Sequence, residues 1–172
     1  MQQKELFEVV DEDGNVINTA TRKECHSNKD LIHRVVHIFV CNSKGEIILQ
    51  KRKNNKDIQP GKWDTSVGGH LMVGETYFFA AKRELAEELG IKNVEIKPIY
   101  DYLWKSEVET ELVKTYFCLY DGKITFLESE IDDVKFFTIY EIKKNLKKGI
   151  FTPNFAEEFK RFLKWSETSD LR

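Results

Sequence analysis

Between Gly69 and Ile91 the chain reads GHLMVGETYFFAAKRELAEELGI, and no other stretch limits the fold as tightly. Its second half, Thr76 to Leu89, has the spacing of one amphipathic helix, with Phe78, Ala81, Leu85 and Leu89 as the expected core-facing stripe. Glu84, Glu87 and Glu88 stand at i, i+3 and i+4, within an arc of about 100° beside that stripe. Carboxylates so spaced repel one another by a few tenths of a kcal/mol even when exposed. In a cleft the repulsion grows, and one of them stays protonated unless a cation neutralises the set. A face that offers oxygen, but neither sulfur nor imidazole, suits a hard divalent ion such as Mg2+ or Mn2+. Glutamates along a helix are ordinarily a solvated face, so the acids alone do not decide between these readings.

The flanking residues add specificity. Gly68 and Gly69 let the backbone approach a metal or phosphate closely, and Gly74 permits the turn that feeds the helix. Glu75 lies just ahead of the helix, within reach of Arg83 two turns on. The pattern G-x5-E-x7-R-E-L-x-E-E-x-G-I is complete at Gly69, Glu75, Arg83, Glu84, Leu85, Glu87, Glu88, Gly90 and Ile91. In it the chain resembles the Nudix hydrolase family. The resemblance implies Mg2+-dependent hydrolysis of a diphosphate linkage in a nucleoside diphosphate joined to another moiety, with Mn2+ as a substitute ion. It makes Glu84 and Glu88 the leading metal ligands, with Glu87 and the Gly69 carbonyl beside them and Arg83 orienting Glu84 and Glu75. Members of the family take the proton of the attacking water with either a glutamate of this motif or one from a later loop. Glu84 therefore competes with Glu128 and Glu130 in FLESEIDD, which read equally as solvated loop charges.

A second constellation is His26, His33 and His70, three of the chain's four histidines. A single histidine is most often structural. The segments CHSNKDLIHR and GKWDTSVGGH, however, look like the branch of the family that contains type I isopentenyl-diphosphate isomerases. There the matching histidines hold a divalent metal with two glutamates, a role that Glu109 and Glu111 fit because alternation puts them on one strand face. The same comparison counts against isomerase chemistry. Those enzymes move a proton with a cysteine two residues before the third histidine, where this chain has Gly68. Their version of the glutamate motif is also degraded, and this one is intact. The leading reading is a hydrolase; the alternatives are an isomerase-like enzyme and a non-catalytic nucleotide-binding module.

Elsewhere the pattern predicts an α/β fold with a mixed sheet, and the resemblance implies the Nudix α/β/α sandwich. A hairpin over about residues 5–20 turns at Asp11 to Asn15, where Asp11 and Asp13 hint at a calcium loop whose other ligands are missing. Strands are expected at His33 to Cys41, Glu46 to Arg52, Trp63 to Val67, Val94 to Lys105, Val113 to Tyr120 and Val134 to Phe137. Helices are expected over about residues 139–166, the last with Phe155, Phe159, Phe162 and Leu163 on one face. All 172 residues read as a single domain. Lys51, Arg52 and Gly68 are candidate substrate contacts, with Glu75 supporting the loop. Trp63, Tyr102, Trp104 and Phe151 are either pocket walls or core.

A net charge of −2 gives no field to attract a nucleic acid duplex, but is compatible with a small diphosphate substrate. Cys25, Cys41 and Cys118 are odd in number and scattered, as expected of reduced thiols in a cytoplasmic protein. The N-terminus has no apolar signal core, and no run approaches membrane-spanning length. Monomer and homodimer both remain open.

Overall fold

The computed structural model describes residues 5–169, and its sheet is built around the strand Ile32–Cys41. Every residue from Val35 to Cys41 is buried, which requires cover on both faces. The strands are β1 (Leu6–Val10), β2 (Val16–Thr21), β3 (Ile32–Cys41), β4 (Ile47–Arg52), β5 (Trp63–Asp64), β6 (Val67–His70), β7 (Lys97–Lys105), β8 (Thr110–Leu119) and β9 (Ile131–Phe137). The helices are α1 (Arg22–Cys25), α2 (Tyr77–Leu89), α3 (Ile139–Asn145) and α4 (Pro153–Thr168).

One edge of β3 pairs in parallel with β8 along its whole length. The other edge is shared in turn by β1, β6 and β4. β4 touches β3 at Cys41–Ile47 and then diverges to pair with β5 and β9. Alternation along β3 sends Val36, Ile38 and Val40 under Ala80, Ala81, Leu85 and Leu89 of α2. It sends Phe39 and Cys41 to the opposite face, under Ile142 of α3 and Phe155, Phe159 and Phe162 of α4. The result is the expected α/β/α sandwich. Phe39 and Phe162 stack with centroids 4.2 Å apart, which anchors α4.

α2 starts where Thr76 accepts a hydrogen bond from the Phe79 amide at 3.4 Å and stops at Gly90, whose φ is 67°. Its core stripe differs from expectation. Phe78 is 47% exposed, because Tyr77 takes that flank, packing on the core and donating to the Leu112 carbonyl at 3.0 Å. Several boundaries also shift. β8 begins at Thr110 because its parallel register with β3 starts there, and β9 begins at Ile131 opposite Arg52. β7 begins only at Lys97; Ile96 is instead buried in the core beneath α2. The expected strand Trp63 to Val67 is broken at Thr65–Ser66. There the Ser66 hydroxyl donates to Ile48 O at 2.5 Å and accepts from Val40 N at 2.9 Å, stitching β4 to β3 where their ladder opens.

α1 escaped the sequence reading because it is four residues long; Thr21 and Glu24 close it with a capping box. Asp11 accepts from the amides of Asp13 and Asn15, an ordinary turn. All three cysteines are free and buried. Among the described residues no helix is long and apolar enough to cross a membrane.

Replacing Leu85 by Ala should lower stability by about 2–5 kcal/mol, and Phe155 by Ala by about 3–5 kcal/mol. Phe78→Ser should stay within about 0.5 kcal/mol of the parent, read by urea denaturation.

Candidate active site

Where β4 leaves β3, a cavity of about 1480 Å³ opens, and ligating groups from both faces of the sheet line it. From the α2 side come Glu84, Glu87 and Glu88. Gly69 sits against Glu84 so closely that a Cβ there would lie 2.1 Å from the Glu84 carboxyl carbon. No side chain is compatible with that approach. Arg83 ties the segment together: its Nε and Nη2 donate to the two oxygens of Glu75 at 2.9 and 2.8 Å. Its Nη1 donates to Glu84 at 2.6 Å and to Glu87 at 3.4 Å, and Nη2 also donates to His70 O at 3.1 Å. One guanidinium thus fixes the loop, the helix and the end of β6.

These contacts set the charges. Hydrogen bonds from Arg83 hold the Glu75 carboxyl below its usual range. Burial pushes Glu84 up despite Arg83. Glu88 is pushed to about 8, first by burial and then by the charge of Glu84, although Gln50 Nε2 at 2.8 Å and Gly68 N at 3.3 Å donate to it. Carboxylates that resist ionisation side by side fit a hard divalent cation, which would relieve both penalties.

The α4 side brings together His26, which caps α1, His33 on β3, His70 at the end of β6, Glu109 and Glu111. The parallel register sets His33 opposite Glu111. His26 Nε2 lies 3.0 Å from His70 Nε2 and 3.6 Å from Glu109, and His33 Nε2 lies 3.9 Å from Glu111. Ligand atoms of the three histidines lie within 4.8 Å of one another, as do those of His33, Glu109 and Glu111. Phe7 stacks on His70 at 4.4 Å and on His33 at 5.5 Å. Burial lowers His26 and His33 to about 4 and pushes His70 down as well, while it raises Glu109 and Glu111. His26 Nδ1, His33 Nε2 and Glu109 Oε2 are buried without a hydrogen-bond partner. Neutral imidazoles and an unpaired carboxylate oxygen, in two trios that share His33, form donor sets that a divalent cation would complete.

Around these groups the structure places residues that spacing did not single out. Asn154, at the start of α4, donates to Glu111 at 3.3 Å and accepts from the Tyr102 hydroxyl at 2.7 Å. Asp64 accepts from Thr152 at 2.9 Å and from Arg52 at 3.2 Å. His37 Nδ1 lies 2.7 Å from the buried carboxylate of Glu158. None of these residues has a local signature: each pair is joined only by the fold. His37 stands out only as a polar residue within the apolar run from Val35 to Val40.

Arg52 and Gly68 line the cavity, but Lys51 does not. Alternation along β4 turns Lys51 away from Gln50 and Arg52, and it faces Asp132 at 3.6 Å instead. Glu130 lies at the rim in an ion pair with Lys56, whereas Glu128 is exposed outside the lining. Trp104 lines the cavity; Trp63 and Phe151 pack in the core, and Tyr102 is buried.

The NUDIX domain family matches residues 31–159, which include both ligand sets apart from His26. An uncharacterised Nudix hydrolase of Yersinia pestis is 31% identical over 166 residues, 96% of this chain and 90% of that protein. An isopentenyl-diphosphate Delta-isomerase of Serratia proteamaculans is 32% identical over 124 residues, 69% of this chain and 68% of that protein. The crystal structure of DR0079 from Deinococcus radiodurans shares the fold, with a TM-score of 0.80 at 24% identity, covering 91% of this chain and 98% of that one.

The raised acids have a consequence for stability. Glu88 ionises near 4.5 when unfolded and near 8 when folded, so its contribution is complete below the lower value and lost as pH rises through the upper one. His26 and His33, depressed from 6.5 to about 4, act in the opposite sense, but their effect is complete by about pH 6.5. Metal-free protein should therefore lose thermal stability between about pH 6.5 and 8. Glu88→Gln should make that decline shallower without abolishing it, because Glu109, Glu111 and His37 are raised in the same sense, and Mn2+ should reduce it, in calorimetric melts.

Proposed function

The chain belongs to the Nudix hydrolase family, and from that premise we propose that it hydrolyses a diphosphate linkage in a nucleoside diphosphate joined to another moiety, with Mg2+ or Mn2+ held by Glu84, Glu87, Glu88 and the Gly69 carbonyl. Members of the family act broadly on such compounds and generally use divalent ions. The observation that carries the reading is the adjacency of Glu84 and Glu88, both raised by burial, with Glu84 packed against Gly69 and Glu88 accepting from the Gly68 amide.

Attack by water at phosphorus has to overcome repulsion from anionic oxygens and stabilise a departing phosphate. Bound divalent ions supply positive charge to the diphosphate and lower the pKa of a water molecule. The rest falls to the chain. Arg83 keeps Glu84 facing the cavity and pins the glycine bend through Glu75 and the His70 carbonyl. Gln50 and the Gly68 amide orient Glu88. Glu84 takes the water's proton in this reading, because Glu130 is engaged by Lys56 and Glu128 lies outside the cavity. On the far side of the same cavity His26, His70, Glu109 and Glu111, with the fully buried His33 behind them, would hold a second divalent ion.

The relative that is an isomerase and the histidine–glutamate cluster favour a second reading, isomerisation of an isoprenoid diphosphate. Gly68 opposes it, having no side chain to move a proton.

The test is incubation with Mg2+ and a panel of nucleoside triphosphates, dinucleoside polyphosphates, nucleotide sugars, coenzyme A and isopentenyl diphosphate. Phosphate or nucleotide release that falls by about 10²-fold or more in Glu84→Gln and Glu88→Gln is the expected result. Double-bond migration without release would establish the isomerase instead, and binding without turnover of any compound would leave a nucleotide-binding module. In Mn2+ titrations by calorimetry, His33→Ala and Glu111→Gln should each remove one class of site and spare the one that Glu88→Gln removes.

A further inference from the structure

β3 carries one more histidine, His37, which belongs to neither ligand set. It lies on the α4 face, and its side chain lines the cavity while only 9% exposed. Nδ1 is 2.7 Å from Glu158 Oε2, and the other oxygen of Glu158 accepts from Thr115 at 2.5 Å. Glu158 is completely buried, and among the described residues His37 is its ion-pair partner. A buried pair of this kind adds little to stability over an apolar replacement, so its placement calls for another explanation.

The opposite edge of the ring supplies one. With Nδ1 directed at Glu158, Nε2 points the other way, over Gly68. A Cβ on Gly68 would stand 3.4 Å from His37 Nε2, 3.2 Å from Cδ2 and 3.6 Å from Thr65 Cγ2. Thr65 Oγ1 is itself buried without a partner and lines the same cavity. The Nε2 edge of His37 thus stands over a position kept open by glycine, with the Thr65 methyl packed beside it. Burial opposes charge on His37, but Glu158, Glu111 on β8 and Asp64 on β5 outweigh it and hold the ring protonated up to about 9. Those acids would repel a free anion, so the ligand suited to this place is an anion already carrying divalent cations.

We propose that His37 is a further substrate-binding residue, donating its Nε2–H to a phosphoryl oxygen of a metal-complexed diphosphate, and that Glu158 is the positioning residue that aims it. The proposal rests on the diphosphate-hydrolase reading above and adds a contact on the α4 face.

The probe is methylenediphosphonate with Mg2+, bound to the full chain, because its P–C–P bridge resists hydrolysis. Asn at position 37 keeps a donor for Glu158 and deletes the one over Gly68, whereas Gln places an amide N–H near the old Nε2. His37→Asn should weaken binding about ten- to a hundredfold, Glu158→Gln should weaken it less, and His37→Gln should recover part of the loss. In the parent protein the His37 Nε2–H resonance, read by imidazole ¹⁵N–¹H NMR, should move when the probe is added. A purely structural pair would alter melting temperatures but leave the dissociation constant and that resonance unchanged, which overturns the proposal. If His37→Asn fails to fold, the parent's resonance and Glu158→Gln decide. Loss of binding in Glu88→Gln with parental affinity in His37→Asn would overturn this inference alone. Failure of the parent protein to bind the probe would overturn the diphosphate reading and this one together.

Discussion

β3 has one edge for three neighbours, and the remainder of the structure follows from how they share it. β1 and β6 occupy most of that edge, so β4 meets β3 at Cys41–Ile47 and then swings toward β5 and β9. A continuous ladder would have sealed the sheet. The divergence leaves backbone groups to be satisfied otherwise, and Ser66 does so by bonding to both strands at once. It also lets one cavity reach side chains from both faces of the sheet. The α2 glutamates and the histidine–glutamate cluster lie on opposite sides of that sheet, yet both sets, apart from the buried His33, line that cavity.

Glycine sets the distances in that cavity. At Gly69 the Glu84 carboxyl occupies the volume a side chain would need, and at Gly68 the His37 and Thr65 side chains close in on the α-carbon. These are close approaches rather than turns, and they differ from Gly90, where a φ of 67° is required to end α2. Crowding acids and imidazoles this way keeps several of them from their ordinary ionisation. Arg83 and Glu158 manage the result in different ways: Arg83 shares one cation among three carboxylates, whereas Glu158 keeps one imidazole positive inside the core.

Much of this was legible in the residues. Glu75 and Arg83 were paired by their spacing around a helix start, and alternation placed Glu109 and Glu111 on one face. At Lys51 spacing stops being informative. Its position at a strand end near the site follows from the neighbouring residues, but the phase of β4 relative to the cavity does not, and one residue of phase separates a cavity wall from the outer surface. Phe78 fails for a similar reason. A helical wheel allowed it on the core side, and the hydroxyl of neighbouring Tyr77, bonded to Leu112 O, decided which aromatic went in.

The sequence by itself determined the α2 glutamate face and its arginine clamp, because these lie within 23 consecutive residues whose geometry follows largely from helix periodicity. It likewise determined the layered α/β class through the apolar pattern of the strands and of α4. Only the tertiary structure decided that His26, His33, His70, Glu109 and Glu111 meet, that His37 faces Glu158 121 positions away, and that Gly68 lies beneath that ring. Such contacts depend on strand register and on which neighbour takes an edge, and those choices are made by the packing of the whole chain rather than by any one segment of it.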